Sequence, residues 1–331
     1  MSAEPMTKRP AVALDLDPSL PDIASQALGG PWWVRWEIPT WLVAIGVYAS
    51  WAALVVFNAS IPWPILALLA AYVLAWHFSL QHEAIHSWRS IPLLLRTAIV
   101  WPPIGGWLPY ELYRHSHSIH HRDANLTYPG LDTESVYHRQ KDWDRYSRPW
   151  RAILMFNQTL LGRLTVGPML RLRKLVLTEF GLLRKGDYRN VWIWARFALG
   201  LAAVLTFVKL VGHMPIWKYY VLFVYPGLSL GLLRAYIEHR WGDHPEERIA
   251  IVESNWVFGL LFLWNNIHIV HHLYPAKPWF EIPKTYRDER EELLRRNGDY
   301  RFSGYAEIAR RWGLRPVFTP IHPGGPAKPA A

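Results

Sequence analysis

The stretch WPILALLAAYVLAWHFSLQHEAIH, residues 63–86, joins an apolar run to two histidines four residues apart. Residues 63–80 contain no Asp, Glu, Lys or Arg. A helix needs about 20 apolar residues, at about 1.5 Å each, to cross the hydrocarbon core of a membrane. We therefore predict that Trp63–Leu80 crosses a membrane and that His82 and His86 lie where the chain leaves it.

Three other stretches are long and apolar enough to span: Ile38–Asn58, Val191–Val211 and Ile216–Glu238. Short turns join them in pairs, and these turns carry almost no Lys or Arg, whereas residues 122–190 contain thirteen. Basic residues concentrate on the cytoplasmic side of membrane proteins. The sequence predicts an all-α integral membrane protein with four transmembrane helices in two hairpins, both termini cytoplasmic, and a helical cytoplasmic cap.

Two further apolar stretches are not predicted to span. Ile91–Pro109 contains Arg96 and several Pro and Gly residues that would interrupt a spanning helix, and Ser254–Ile267 is too short. Both are placed at the membrane interface. The predicted organisation is a disordered cytoplasmic tail over residues 1–30, one domain over residues 31–321 and a C-terminal tail over residues 322–331.

Composition limits the chemistry that the chain can perform. Its 331 residues include 15 His and no Cys, with a formal net charge of +10. The lack of Cys excludes disulfides, Cys-ligated zinc, iron–sulfur clusters and thiol nucleophiles. Any metal must be held by His or carboxylate groups. No Gly-rich dinucleotide or phosphate-binding motif is present, so electrons for a redox reaction would come from another protein.

Eight histidines fall into three groups with helical spacing. They are His82 and His86; His117, His120 and His121; and His268, His271 and His272. Residues three and four apart lie on one face of a helix, so each group can direct its imidazoles to one point. Imidazole clusters bind transition metals, and eight exceed what one zinc ion uses. A two-metal centre is predicted, with His239, which follows the fourth span, as a ninth ligand.

Other histidines are not predicted ligands. His77 lies on the second span but points away from His82 and His86, and His115 faces away from His117. The pattern His82-Glu83-x-x-His86 also matches zinc proteases, with Glu83 as general base. That alternative is less favoured because it leaves the other grouped histidines unexplained.

The order of these motifs resembles the membrane fatty acid desaturase family. The likeness covers roughly residues 33–321 and consists of a His-x-x-x-His after a hydrophobic hairpin, then His-x-x-His-His, a second hairpin and a final His-x-x-His-His. Local similarities favour the bacterial acyl desaturase branch. They are residues 107–114 (WLPYELYR), 125–127 (NLT), 132–135 (DTES) and 271–275 (HHLYP).

The resemblance implies a non-haem di-iron centre that uses O₂ to place a cis double bond in a lipid acyl chain. The matching ligands are His82, His86, His117, His120, His121, His239, His268, His271 and His272. In animal stearoyl desaturases an Asn four residues before the extra His completes the centre through water. Here that position is Ala235, and Asn265 and Asn266 are alternative donors near the third group.

The expected setting is the bacterial inner membrane, with the active site on its cytoplasmic face. The expected partners are a membrane lipid or acyl-thioester substrate and an external electron donor, such as ferredoxin or a b-type cytochrome with its reductase. No nucleic acid partner is expected. Two alternatives remain: a hydroxylase or ketolase of the same superfamily acting on alkanes, carotenoids or sphingolipids, and a membrane metal carrier or sensor.

Overall fold

A computed structural model describes residues 30–122 and 125–324, including all side chains there except that of Arg122. Residues 1–29 of the predicted N-terminal tail and residues 325–331 of the predicted C-terminal tail lie outside the described part of the chain. His322 contacts the body of the protein, where its Nε2 lies 3.2 Å from Oγ1 of Thr127.

Four long helical stretches are apolar enough to cross a membrane, and each matches a predicted span. After the short helix α1 (Trp32–Arg35) come α2 (Ile38–Val56) and α3 (Trp63–His86). The second pair is α10 (Val191–Leu210) and the continuous stretch Ile216–Ala235, made of α11 (Ile216–Tyr219), a π-helical turn (Tyr220–Val224) and α12 (Tyr225–Ala235). The prediction of four spans in two hairpins is confirmed.

Helix α3 is the central element of the helical bundle. It packs against α2 on one side and against α12 and the π-helical turn on the other. The approach of α12 is close because a Cβ atom on Gly227 would lie only 2.6 Å from Cβ of Leu74. Pro64 starts α3 at a position where a helix tolerates a missing N–H. The helix continues without a break from the apolar run to His86, which carries the first histidine group out of the bundle.

The two stretches that were predicted not to span contain only short helices. Helix α4 (Leu93–Val100) lies in the first stretch, and α13 (Trp256–Leu261) in the second. Neither is long enough to cross a membrane. The Pro and Gly residues around α4 and the turn after α13 end these helices early.

The remaining elements pack around one end of the bundle, and we call this part of the protein the cap. The helices are α5 (Tyr110–Arg122), α6 (Gln140–Trp143), α7 (Arg148–Phe156), α8 (Leu160–Thr165), α9 (Gly167–Arg184), α14 (His268–Leu273), α15 (Ile282–Arg296) and α16 (Tyr305–Trp312), with 3₁₀ turns at Pro245–Arg248 and Trp279–Glu281. Two short parallel strands, β1 (Ile251–Val252) and β2 (Arg301–Phe302), pair in the register Ile251 to Arg301. The end of α3, α5, the segment after α12 and α14 meet in this cap.

Candidate metal centre

All nine histidines proposed as ligands lie together in the cap. They form a five-His group (His82, His86, His117, His121 and His271) and a four-His group (His120, His239, His268 and His272). Within each group, one nitrogen from every ring lies within 4.8 Å of the others. His239 was inferred from its position after the fourth span, and it belongs to the four-His group.

The two groups do not follow the motifs along the chain. The expectation that each motif directs its rings to one point is met only by His82 and His86. On α5, His117 and His121 point to the five-His group whereas His120 points to the four-His group. On α14, His271 joins the first group, and the other two rings join the second. The His-x-x-His-His spacing thus places one helix between two sites.

The ring nitrogens are spaced as ligands of one ion would be. The Nε2 separations are 3.1 Å for His117 and His121, 2.9 Å for His121 and His271, 3.0 Å for His120 and His239, 3.0 Å for His239 and His268, and 3.1 Å for His268 and His272. Two nitrogens about 2.1 Å from an ion are about 3.0 Å apart at right angles and about 3.4 Å apart in a tetrahedron. The observed values are close to those expected for nitrogens that share one ion.

The hydrogen bonds of the four-His group leave lone pairs facing one another. Nδ1 of His239 lies 3.3 Å from the carbonyl oxygen of Arg248, and Nδ1 of His268 lies 3.1 Å from Oδ1 of Asn265. Each Nδ1 therefore donates its hydrogen, and a neutral imidazole is then an acceptor at Nε2. Two such acceptors stand 3.0 Å apart. A metal cation bound by both rings would satisfy them, so the residues fit a metal ion.

Two carboxylates orient rings in the two groups. Nδ1 of His117 donates to Oε1 of Glu134, and Nδ1 of His120 donates to Oδ1 of Asp132, both over 2.8 Å. Asp132 is itself fixed because it also accepts from the backbone N–H groups of Thr127 and Glu134. Carboxylate partners of this kind fix the tautomer of a metal-binding His and increase its basicity. Each group therefore has one ring whose Nε2 is directed by an acidic residue.

Burial and charge set the protonation of these rings. Burial, together with the neighbouring imidazoles, lowers the pKa of His121 and of His272 well below the usual value. Burial lowers the pKa of His239 to about 3. Burial also acts to lower the pKa of His120, but the carboxylates of Glu134 and Asp132 outweigh it and raise that pKa. Most rings are therefore neutral and ready to bind a metal, whereas the two carboxylates favour the protonated form of His120.

A comparison with protein families decides what this arrangement belongs to. Residues 58–304 match the family described as Fatty acid desaturase, and this range contains all nine histidines. The chain belongs to the fatty acid desaturase family. No curated protein matches this desaturase family member.

Residues outside the two groups occupy the positions that helical geometry predicts. His77 is buried on α3 away from the groups, 3.5 Å from the hydroxyl of Tyr48. His115 is exposed on α5 and belongs to neither group. Glu83 accepts from the backbone N–H of Trp279 at 3.1 Å, on another face of α3 from His82. That placement gives no support to Glu83 as the general base of a zinc protease.

Asn265 contacts both histidine groups of this desaturase. Its Oδ1 accepts from Nδ1 of His268, and its Nδ2 lies 3.3 Å from Nε2 of His82. The side chain is buried, with 3% of its surface exposed. The alternative donor Asn266 turns the other way and donates to the carbonyl oxygen of Val252. Of the two Asn residues considered from the sequence, only Asn265 lies at the centre.

An apolar slot of about 200 Å³ lies beside the five-His group, and we call it the acyl slot. Its walls come from α3, the loop before α5, α9 and α12; they include Phe78, Gln81, Gly105, Trp107, Tyr113, Thr133, Glu134, Arg171, Leu228, Gly231 and Ala235. Two wall residues connect the slot to the five-His group: Gln81 directly precedes His82 on α3, and Glu134 hydrogen-bonds His117. Ala235, where the animal enzymes have Asn, forms part of this wall.

Sequence reasoning did not assign a role to Asp132, Glu134 or Glu238. The first two lie in the DTES stretch that carried the family resemblance, which was the available signal. Oε1 of Glu238 forms an ion pair with Nε of Arg234 at 3.0 Å and lies 3.5 Å from Nδ1 of His268. Its position directly before His239 in the sequence gave no indication of this contact.

Proposed function

We propose that the chain is an O₂-dependent fatty acyl desaturase that introduces a cis double bond into a lipid acyl chain through a non-haem di-iron centre. The observation that carries the proposal is the acyl slot beside the five-His group, in a cap that holds two separate histidine groups. A slot with a mainly apolar wall suits a substrate without polar groups near the reacting carbons. The family of the chain supports the same class of reaction.

The nine histidines would hold the two ions, one ion per group. Bound iron supplies the activation of O₂, which removing hydrogen from an unactivated methylene requires. The imidazoles suit this chemistry because burial favours the neutral form of most of them. Glu134 and Asp132 accept the Nδ1 hydrogens of His117 and His120, so that a lone pair at Nε2 of each neutral ring can face the ion. Asn265 keeps His268 in the matching tautomer.

The acyl slot would position the substrate. Phe78 forms part of its wall between two glycines: a Cβ atom on Gly105 would lie 2.5 Å from the ring, and one on Gly231 would lie 3.3 Å from it. The absence of side chains at both positions keeps the slot open on each side of Phe78. Apolar surface from Phe78 and Leu228 would exclude water and hold methylenes next to the five-His group.

The orientation and the partners are part of the same proposal. The cap, which carries most of the basic residues, would face the cytoplasm of a bacterial inner membrane. The lipid substrate would then reach the slot from the bilayer, and an electron donor such as ferredoxin or a b-type cytochrome would approach the cap from the aqueous side. Residues 122–190 contain more Lys and Arg than Asp and Glu, which suits the binding of an acidic electron donor.

Expression of the chain in a bacterial host, followed by mass spectrometry of total fatty acids, tests the proposal. We expect new monounsaturated acyl chains in cells with the native chain. The variant His271→Ala should abolish them, whereas His115→Ala, which changes an exposed His on α5, should not. An unchanged fatty acid profile beside an oxygenated lipid product would favour the hydroxylase or ketolase alternative and reject desaturation.

A further inference from the structure

A second cavity, of about 420 Å³, lies in the cap between α7, α8, α9 and the loop before α6. We call it the basic cavity because Arg163, Arg171, Arg173 and Lys174 all line it. Asp132 is the one carboxylate among its described lining residues, and both of its oxygens already accept hydrogen bonds. Four basic side chains against one carboxylate leave the cavity with an excess of positive charge.

Arg163 is the unusual residue of the basic cavity. Its side chain is buried with 2% of its surface exposed, and its Nη2 has no hydrogen-bond partner among the residues that the structure describes. Its other described contacts are a long hydrogen bond from Nε to the carbonyl oxygen of Asn157, at 3.3 Å, and the face of the Tyr236 ring. A buried charge without a counter-ion is costly, and such a charge is usually paired or binds a ligand.

The unpaired Nη2 of Arg163 indicates that the missing partner is an anion. Burial lowers the pKa of Arg163 to about 9, so the guanidinium stays charged at neutral pH. A guanidinium binds phosphate oxygens through two parallel hydrogen bonds, which makes Arg the side chain suited to fixed phosphate groups. Arg171 and Arg173 on α9 face the same space.

The basic cavity adjoins the acyl slot. Arg171 and Leu232 line both cavities. The loop that separates them is tied to α9, because Nζ of Lys174 donates to the carbonyl oxygen of Thr133 over 2.8 Å. Thr133 is itself part of the slot wall. One molecule with a phosphate group and an acyl chain could therefore occupy both spaces.

We propose that the basic cavity binds the phosphate group of the acyl substrate, with Arg163 at its base and Arg171 at the boundary with the acyl slot. The acyl part of this proposal rests on the proposed function, whereas the phosphate site rests on the buried Arg163 and the basic side chains beside it. A phospholipid headgroup and the phosphates of a coenzyme A thioester share this chemistry. The position of the double-bond site would then be set relative to a fixed phosphate rather than to the free end of the chain.

Binding to the purified full chain in detergent micelles tests the site. The probes are dioctanoyl-phosphatidylglycerol, dioctanoylglycerol, which has the same chains without phosphate, and octanoyl-coenzyme A. We expect at least one phosphorylated probe to bind more tightly than dioctanoylglycerol, and the preferred one identifies the source of the phosphate. The variant Arg163→Gln should raise the dissociation constant of that probe by about tenfold to a hundredfold, because it removes a charge-assisted hydrogen bond.

The matched control is Arg184→Gln, which removes the same charge from α9 outside the basic cavity and should leave all dissociation constants unchanged. If Arg163→Gln shows no cooperative thermal transition and is therefore not folded, Arg171→Gln is tested instead, with the same expected rise in the dissociation constant. Equal binding of all probes by the native chain, or an unchanged constant in the Arg variant, overturns the inference. If the chain forms double bonds but shows no preference for phosphorylated probes, the phosphate site is rejected and the desaturase proposal stands. If it binds phosphorylated probes but forms no double bonds, the desaturase proposal is rejected and the phosphate site stands.

Discussion

The carboxylate of Glu134 should affect the metal ion of the five-His group more than that of the four-His group, because it hydrogen-bonds His117 but acts on His120 only through its charge. Its hydrogen bond to His117 is 2.8 Å long, and the Glu134 side chain is 25% exposed while that of His117 is 1% exposed. Glutamine at position 134 can still accept from Nδ1 of His117, so the geometry is kept and only the charge is lost. A charged acceptor is worth about 1.5–3 kcal/mol and a neutral one about 0.5–1.5 kcal/mol.

The difference of about 1–1.5 kcal/mol corresponds to a loss of metal affinity of about fivefold to tenfold. We would titrate purified Glu134→Gln with an iron chelator and count the iron that each chain retains. The ion of the five-His group should be lost at a clearly lower chelator concentration, while the release of the other ion shifts less. Glu292→Gln, which changes a half-exposed carboxylate on α15 paired with Arg295, is the control. A curve identical to the native one, or an equal shift for both ions, would refute the assignment of Glu134.

Three further outcomes follow from the same geometry. His239→Ala removes one of the four ligand candidates of its group, so iron per chain should fall by about half by elemental analysis, while His115→Ala keeps the native content. Gly231→Leu places a side chain against Phe78 in the acyl slot; desaturation of long chains should fall sharply with iron content unchanged, and equal loss of iron would contradict this role. Chelation of the native chain should lower its thermal midpoint, because an ion present at about a hundred times its dissociation constant stabilises the folded chain by about 2.7 kcal/mol; an unchanged midpoint would argue against metal-linked stability.

The spanning helices could be predicted from the sequence because membrane thickness fixes their length. Val191–Val211 was predicted and Val191–Leu210 is observed. Polarity alone could not find the ends of the other spans: α3 continues to His86, and the fourth helix ends at Ala235 rather than Glu238. A helix ends where its hydrogen bonds end, which depends on the packing around it.

The candidate ligands could be predicted because imidazole has few other uses in such spacing. Their division into two groups could not, because it depends on how α5 and α14 sit between two sites. The partners Asp132 and Glu134 lie in a loop without periodicity, so nothing in the local sequence directed them to His120 and His117. Arg163 was one of many basic residues, and nothing in the sequence indicated that it would be buried with Nη2 unpaired among the described residues.

The most direct test of the account is the fate of oxygen and hydrogen in one turnover. Purified, iron-loaded protein would receive a saturated acyl lipid, a reducing system and isotopically labelled O₂, and the products would be analysed by mass spectrometry. The account predicts a lipid that has lost two hydrogens and carries no labelled oxygen, with the label recovered in water. A lipid that has gained a labelled oxygen atom, or a lipid unchanged while iron is bound, would contradict it.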